Sequence, residues 1–127
     1  MFLLLDPSEK DSIHLSLFDD KKKTDFRQLG KNRELLEAID FFLSQEKIDK
    51  IDIQGIMVVI GAGGFTSTRI ATVIASVFGY VRKIPLLAIQ KDEADNLAQL
   101  IPRLLEQPAG QYISATYSGE PNIGNGK

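Results

Sequence analysis

The sequence predicts an α/β domain built on a mixed five-stranded sheet with flanking helices. Two observations carry this. The hydrophobic period is two over the first 30 residues and switches to helical spacing near residue 32. Beyond that switch, short apolar runs alternate with helix-like segments, giving the order three strands, helix, strand, helix, strand, helix. With 127 residues, 43% of them hydrophobic and 25% charged, the chain suits a single core.

"FLLLD" at residues 2–6 is a continuous apolar run closed by Asp6-Pro7-Ser8, which reads as a buried strand and a turn. Ile13, Leu15 and Leu17 alternate with His14, Ser16 and Phe18, the period of a strand with one face on the core. "DDKKKT" makes a turn and "TDFRQLG" an edge strand, completing an antiparallel meander. From Asn32, a plausible N-cap, Leu35, Leu36, Ile39, Phe42 and Leu43 recur at helical spacing. "GIMVVIG" is a β-branched, fully buried strand, and residues 65–78 form a second helix stopped by Gly79. "IPLLAI" is the last buried strand of this order, with Pro85 at its entrance. Asp92 would cap a third helix carrying Ala94, Leu97, Leu100 and Ile101, which Pro102 should kink or end. Residues 1–107 then form one α/β domain, and 108–127 hold a further strand, "GQYISATYSG", and a tail.

Bulk properties exclude several function classes. A net charge of -2 leaves no overall basic field for autonomous nucleic-acid binding. Without cysteine there is no disulfide, thiolate nucleophile or thiolate metal site. The apolar run at the start is too short for a signal peptide or a membrane span, so a cytoplasmic protein is expected, with no membrane partner.

Two features carry chemistry. In "VVIGAGGFTSTRI", a strand, a glycine turn and a helix N-terminus supply the context of an anion site, with Asp6, Gly61, Gly63, Gly64 and Thr66 as candidate loop residues. The dinucleotide fingerprint is broken at Thr66 and no Gly-Lys-Ser/Thr ending follows, so a tight backbone corner is the favoured reading. If the first and fourth strands pair in parallel, the Asp6 loop and the glycine loop become neighbours at the edge where α/β sheets take ligands.

The second helix is the other feature. Ile70, Val73, Ile74, Val77 and Phe78 form a stripe that would face the sheet, while the rest carries only Arg69 as a charge. Small residues at Ser67, Ala71 and Ala75 would let another helix approach closely. A partner interface is therefore expected at Ser67, Thr68, Arg69, Ala71, Thr72 and Ala75, extended by Leu36 and Leu43 of the first helix. Arg69 would either pair across it or bind an anion beside the glycine loop. His14 reads as a surface or edge residue, Asp6 as a turn or capping residue, and Lys21 to Lys23 as a solvated hairpin tip. No metal site is expected.

"GAGGFTSTRIA" resembles the signature Gly-Pro-Gly-Ser-Phe-Thr-Gly-x-Arg-x-Gly of the TsaB (YeaZ) family, a subunit of the machinery that makes threonylcarbamoyladenosine at position 37 of tRNA. "LLLDPS", "LLEAI" and "GYVRKIPLLAI" support the resemblance over roughly the first 90 residues. Gly61, Gly63, Phe65, Thr66 and Arg69 match; Ala62, Gly64, Ser67 and Ala71 depart. The resemblance implies the actin, Hsp70 and sugar-kinase-like (ribonuclease H-like) fold. It further implies a non-catalytic scaffold that binds a TsaD-like catalytic subunit through helices near 32–45 and 65–78 and forms a homodimer in isolation. tRNA would be met only through the complex. No cofactor of its own is implied, ATP or ADP being expected only at a composite site with the partner. In active relatives the first turn is Asp-x-Gly-Thr-like; here Pro7 lacks an N–H and Glu9 would repel phosphate. The competing reading is a small nucleotide-binding or hydrolysing enzyme using Asp6 and the Gly61–Gly64 loop.

Overall fold

The computed structural model describes residues 1–9, 11–30, 34–61 and 65–109. Its elements are β1 (Phe2–Asp6), β2 (Ser12–Phe18), β3 (Lys23–Leu29), α1 (Leu35–Gln45), β4 (Ile56–Val59), α2 (Phe65–Arg82), β5 (Leu86–Ile89) and α3 (Leu97–Leu105). Short 3-10 turns lie at Lys50–Asp52 and Lys91–Asn96. Strand order across the sheet is β3-β2-β1-β4-β5, antiparallel through β1, β2 and β3, and parallel at β1–β4 and β4–β5. The mixed five-stranded sheet is thus the predicted one, and the parallel β1–β4 pairing sets the ends of β1 and β4 side by side.

Each sheet face has its own core because alternate residues point to opposite faces. One face presents Leu3, Leu5, Ile13, Leu15, Ile56, Val58 and Leu86 to α1 and α2. The other presents Leu4, Phe18, Met57, Val59, Leu87 and Ile89 to Leu97, Ile101 and Leu104 of α3. β2 is accordingly buried on both faces, not one as its alternation predicts: Phe18 packs against Phe2, with ring centroids 5.7 Å apart, and His14 and Ser16 are buried too. The alternation sorts its residues between an apolar core and a polar one.

Three helix boundaries differ from expectation. α1 starts at Leu35, and the proposed cap Asn32 lies outside the described residues. α2 runs through Gly79 to Arg82; it ends where Lys83 turns left-handed at φ 59° and the Ile84 N–H donates to the Gly79 carbonyl at 3.1 Å. The segment before α3 opens at Lys91, with the Glu93 carboxylate accepting from the Gln90 N–H at 2.8 Å, so Asp92 is not its cap. Pro102 sits inside α3, which continues to Leu105; the residue is exposed, so the lost backbone bond falls on the solvent side. The expected strand near residues 112–117 lies outside the described residues.

Gly79 has a packing role in place of the expected stop. A Cβ there would meet three side-chain atoms of buried Leu86 at 2.8, 2.9 and 3.1 Å. Gly79→Ala would gain about 1 kcal/mol of helix propensity, but overpacking of this kind costs about 1–3 kcal/mol. A net loss of stability by about 1 kcal/mol is expected in urea denaturation; a gain would show that Leu86 moves aside freely.

Candidate functional site

The first site lies where β1 ends. Among the described residues, only α3 and its leading turn cover this face of the sheet, and the β1–β2–β3 end is filled by polar side chains. The antiparallel registers set Asp6 opposite His14, and Ser16 opposite Asp25. The Asp6 side chain, 1% exposed, accepts at Oδ1 from the Ser8 N–H (3.1 Å) and hydroxyl (2.5 Å). Its Oδ2 meets His14 Nδ1 at 3.2 Å and Lys91 Nζ at 2.6 Å. His14 Nε2 lies 3.3 Å from Asp25 Oδ1, which also accepts from the Ser16 hydroxyl at 2.5 Å. Lys23 pairs with Asp25 at 3.6 Å, and Arg27 with Glu9 at 3.4 Å.

His14 is therefore buried between two carboxylates, contrary to the surface or edge position expected for it. Asp6 does close its own turn through Ser8, as expected, but it is also the hub of a network spanning β1, β2 and Lys91. Burial alone would push the Asp6 carboxyl up; the bonds from His14, Lys91 and Ser8 outweigh it and hold the group well below the usual carboxylate range. Asp25 is likewise lowered against its desolvation by Ser16 and His14.

A depressed folded pKa gives stability that is present above the unfolded value near pH 4 and is lost as pH falls toward the folded one. Asp6→Asn should therefore flatten the acid limb of the stability curve below about pH 4 relative to the parent. At pH 7 it should cost about 2 kcal/mol, read by urea midpoints at a series of pH values. Parallel acid limbs in the two proteins would contradict this role of Asp6.

Gly61 follows β4 at φ +81°, and a Cβ there would lie 2.9 Å from Gln90 Oε1. It is a backbone corner that a side chain would strain. Gly61, Asp6, Gln90 and Lys91 line one cleft of about 540 Å³ at the C-terminal ends of the parallel strands. Gly63 and Gly64 lie outside the described residues, and Thr66 is exposed in the first turn of α2.

The second site is the outer face of α1 and α2, where the two expected stripes of α2 are exchanged in part. Ala71 and Ala75 are wholly buried in the core beneath α2, and Thr68, Thr72 and Ser76 are buried as well. Thr72 donates to the Arg69 carbonyl at 3.0 Å, and Thr68 Oγ1 has no hydrogen-bond partner. Small residues are there because the helix lies close on its own sheet. Ser67 is half-buried and Arg69 exposed; Leu43, also expected at the interface, is buried in the core. Of the apolar residues expected there, Leu36 is exposed.

Of the large residues assigned to the sheet, Ile74 and Phe78 do pack partly buried against the core, but Val73 and Val77 face outward, as does Val81, at 50–68% exposure. With Leu36, Ile74 and Phe78 they line an apolar groove of about 400 Å³, flanked by Lys50 and Arg82. Volume was the missed signal: a helix packed tightly on a sheet puts its smallest residues inward. His14, Asp25 and Lys91 were missed because they meet only once register and crossover are known.

No described helix is long and apolar enough to cross a membrane, and among the described residues no group of three Asp, Glu or His side chains could hold a metal ion. No curated protein matches the chain. Two of the solved structures that share its fold are similar to it at the same level: one is YeaZ from Pseudomonas aeruginosa, with a TM-score of 0.63, 21% identity, and coverage of 70% of this chain and 44% of that one. The other is described as an uncharacterized protein with similarity to peptidase YeaZ from Pseudomonas aeruginosa, with a TM-score of 0.62, 21% identity, and coverage of 70% and 42%. The chain thus spans less than half the length of either structure. Residues 31–118 match the family model of TsaD, tRNA N6-adenosine threonylcarbamoyltransferase. With the match covering more than half its length, the chain belongs to the TsaD family, and it shares with YeaZ the actin, Hsp70 and sugar-kinase-like fold.

Proposed function

We propose that the chain is a non-catalytic subunit in the N6-threonylcarbamoylation of tRNA adenosine, docking a TsaD-like catalytic subunit on its α1–α2 groove. The observation that carries this reading is the groove itself. Val73, Val77 and Val81 recur every fourth residue on the outside of a helix whose inner face already fills its core. An exposed apolar surface of this kind marks an association site. Family membership supports a related chain as occupant, and a second copy of this chain would take the same face when that partner is absent.

The β1 turn supports the non-catalytic part of the reading: Pro7 offers no N–H, and Glu9 puts a carboxylate beside it. The net charge of -2 supports contact with tRNA through the complex and not by this chain alone. A cytoplasmic location follows from that role.

Co-expression with the TsaD-family subunit of the same organism tests the proposal. A complex of defined stoichiometry is expected by size-exclusion chromatography with light scattering. Separate elution of the two chains at micromolar concentration would overturn it.

A further inference from the structure

The Asp6 carboxylate has about four lone-pair sites, and four donors fill them: two from Ser8, one from His14 and one from Lys91. Three of these belong to the β1–β2 hairpin. The fourth comes from 85 residues away, from the connection after β5, and reaches past the end of β4 to β1. Lys91 is also the replaceable one: its side chain is 47% exposed, while that of Asp6 is 1% exposed. The fold family implies a magnesium nucleotide in this cleft, and Asp6, as it is bonded here, does not fit one. A magnesium ion is held through carboxylate oxygens, directly or by its waters, and this carboxylate has none to spare.

We infer that Lys91 is a tethered cation occupying the ligand position of the cleft at Asp6, so that the cleft takes an alkylammonium group, supplied by the chain itself, in place of a metal-bound nucleotide. This deepens the non-catalytic reading and rests on it, but it concerns the sheet face opposite the docking groove. Failure to bind a TsaD-like subunit would leave it standing, and its own failure would leave the groove standing.

The test is chemical rescue. Lys91→Ala removes the equivalent of propylammonium and leaves Asp6 with an unfilled site. Its melting temperature is expected to fall by about 5 °C. Propylammonium chloride at tens of millimolar should restore at least half of that loss, and tetramethylammonium chloride at equal ionic strength should not. Lys91→Met, which keeps the stem and lacks the charge, should fall similarly without rescue. Equal restoration by both salts, or no loss in Lys91→Ala, overturns the inference. A measurement on the unaltered protein stands independently of variant folding: calorimetric titration with magnesium and ATP should give no binding heat. Binding that disappears in Asp6→Asn would refute the inference outright.

Discussion

Ala75→Asp is expected to leave the protein unfolded. Ala75 has no exposed surface and lies in the core beneath α2, between that helix and the sheet. An aspartate there adds volume to a close contact, which alone costs about 1–3 kcal/mol. It also buries a carboxylate with no cation beside it, which costs about 3–5 kcal/mol or drives the group to protonate. Together these approach the whole stability of a typical domain, about 5–15 kcal/mol. Loss of the cooperative urea transition and of near-ultraviolet dichroism is the expected readout. A folded Ala75→Asp monomer would mean that α2 does not lie as described.

Val77→Asp, two residues further along the same helix, should do the opposite. Val77 is half exposed, so a charge there stays hydrated in the free chain and the urea midpoint should barely move. In the complex the same carboxylate would be driven into an apolar groove without a partner. Loss of one central anchor costs about 2 kcal/mol or more, a weakening of roughly 30-fold or greater. Co-purification with the TsaD-like subunit should fall below detection while the fold persists. Unchanged affinity would place the interface elsewhere on the molecule.

Between them, the two substitutions show where reading from sequence succeeds and where it stops. Element order, the meander and the parallel neighbours were legible because period and turn chemistry are local, as in "FLLLD" followed by Asp6-Pro7-Ser8. That α2 carries two apolar faces was legible as well. Which face turns inward was not, because polarity alone cannot separate Ala71 and Ala75 from Val73 and Val77; the spacing between helix and sheet decides it. The polar cluster was hidden for another reason. Asp6, His14 and Asp25 are brought together by two strand registers, and Lys91 by a crossover, none of which leaves a short motif.

The outer edge of β3, against which no other described strand pairs, bears on which kind of association the protein can undergo. Lys23, Asp25 and Arg27 alternate along it on one face, opposite Thr24, Phe26 and Gln28 on the other. Another strand laid against that edge would bring its side chains up to a row of mixed charge, some of it already engaged with Asp25 and Glu9. Charged edges of this kind resist edge-to-edge pairing. Growth of the sheet into open-ended polymers through this edge is thereby disfavoured, which favours closed assemblies of fixed size.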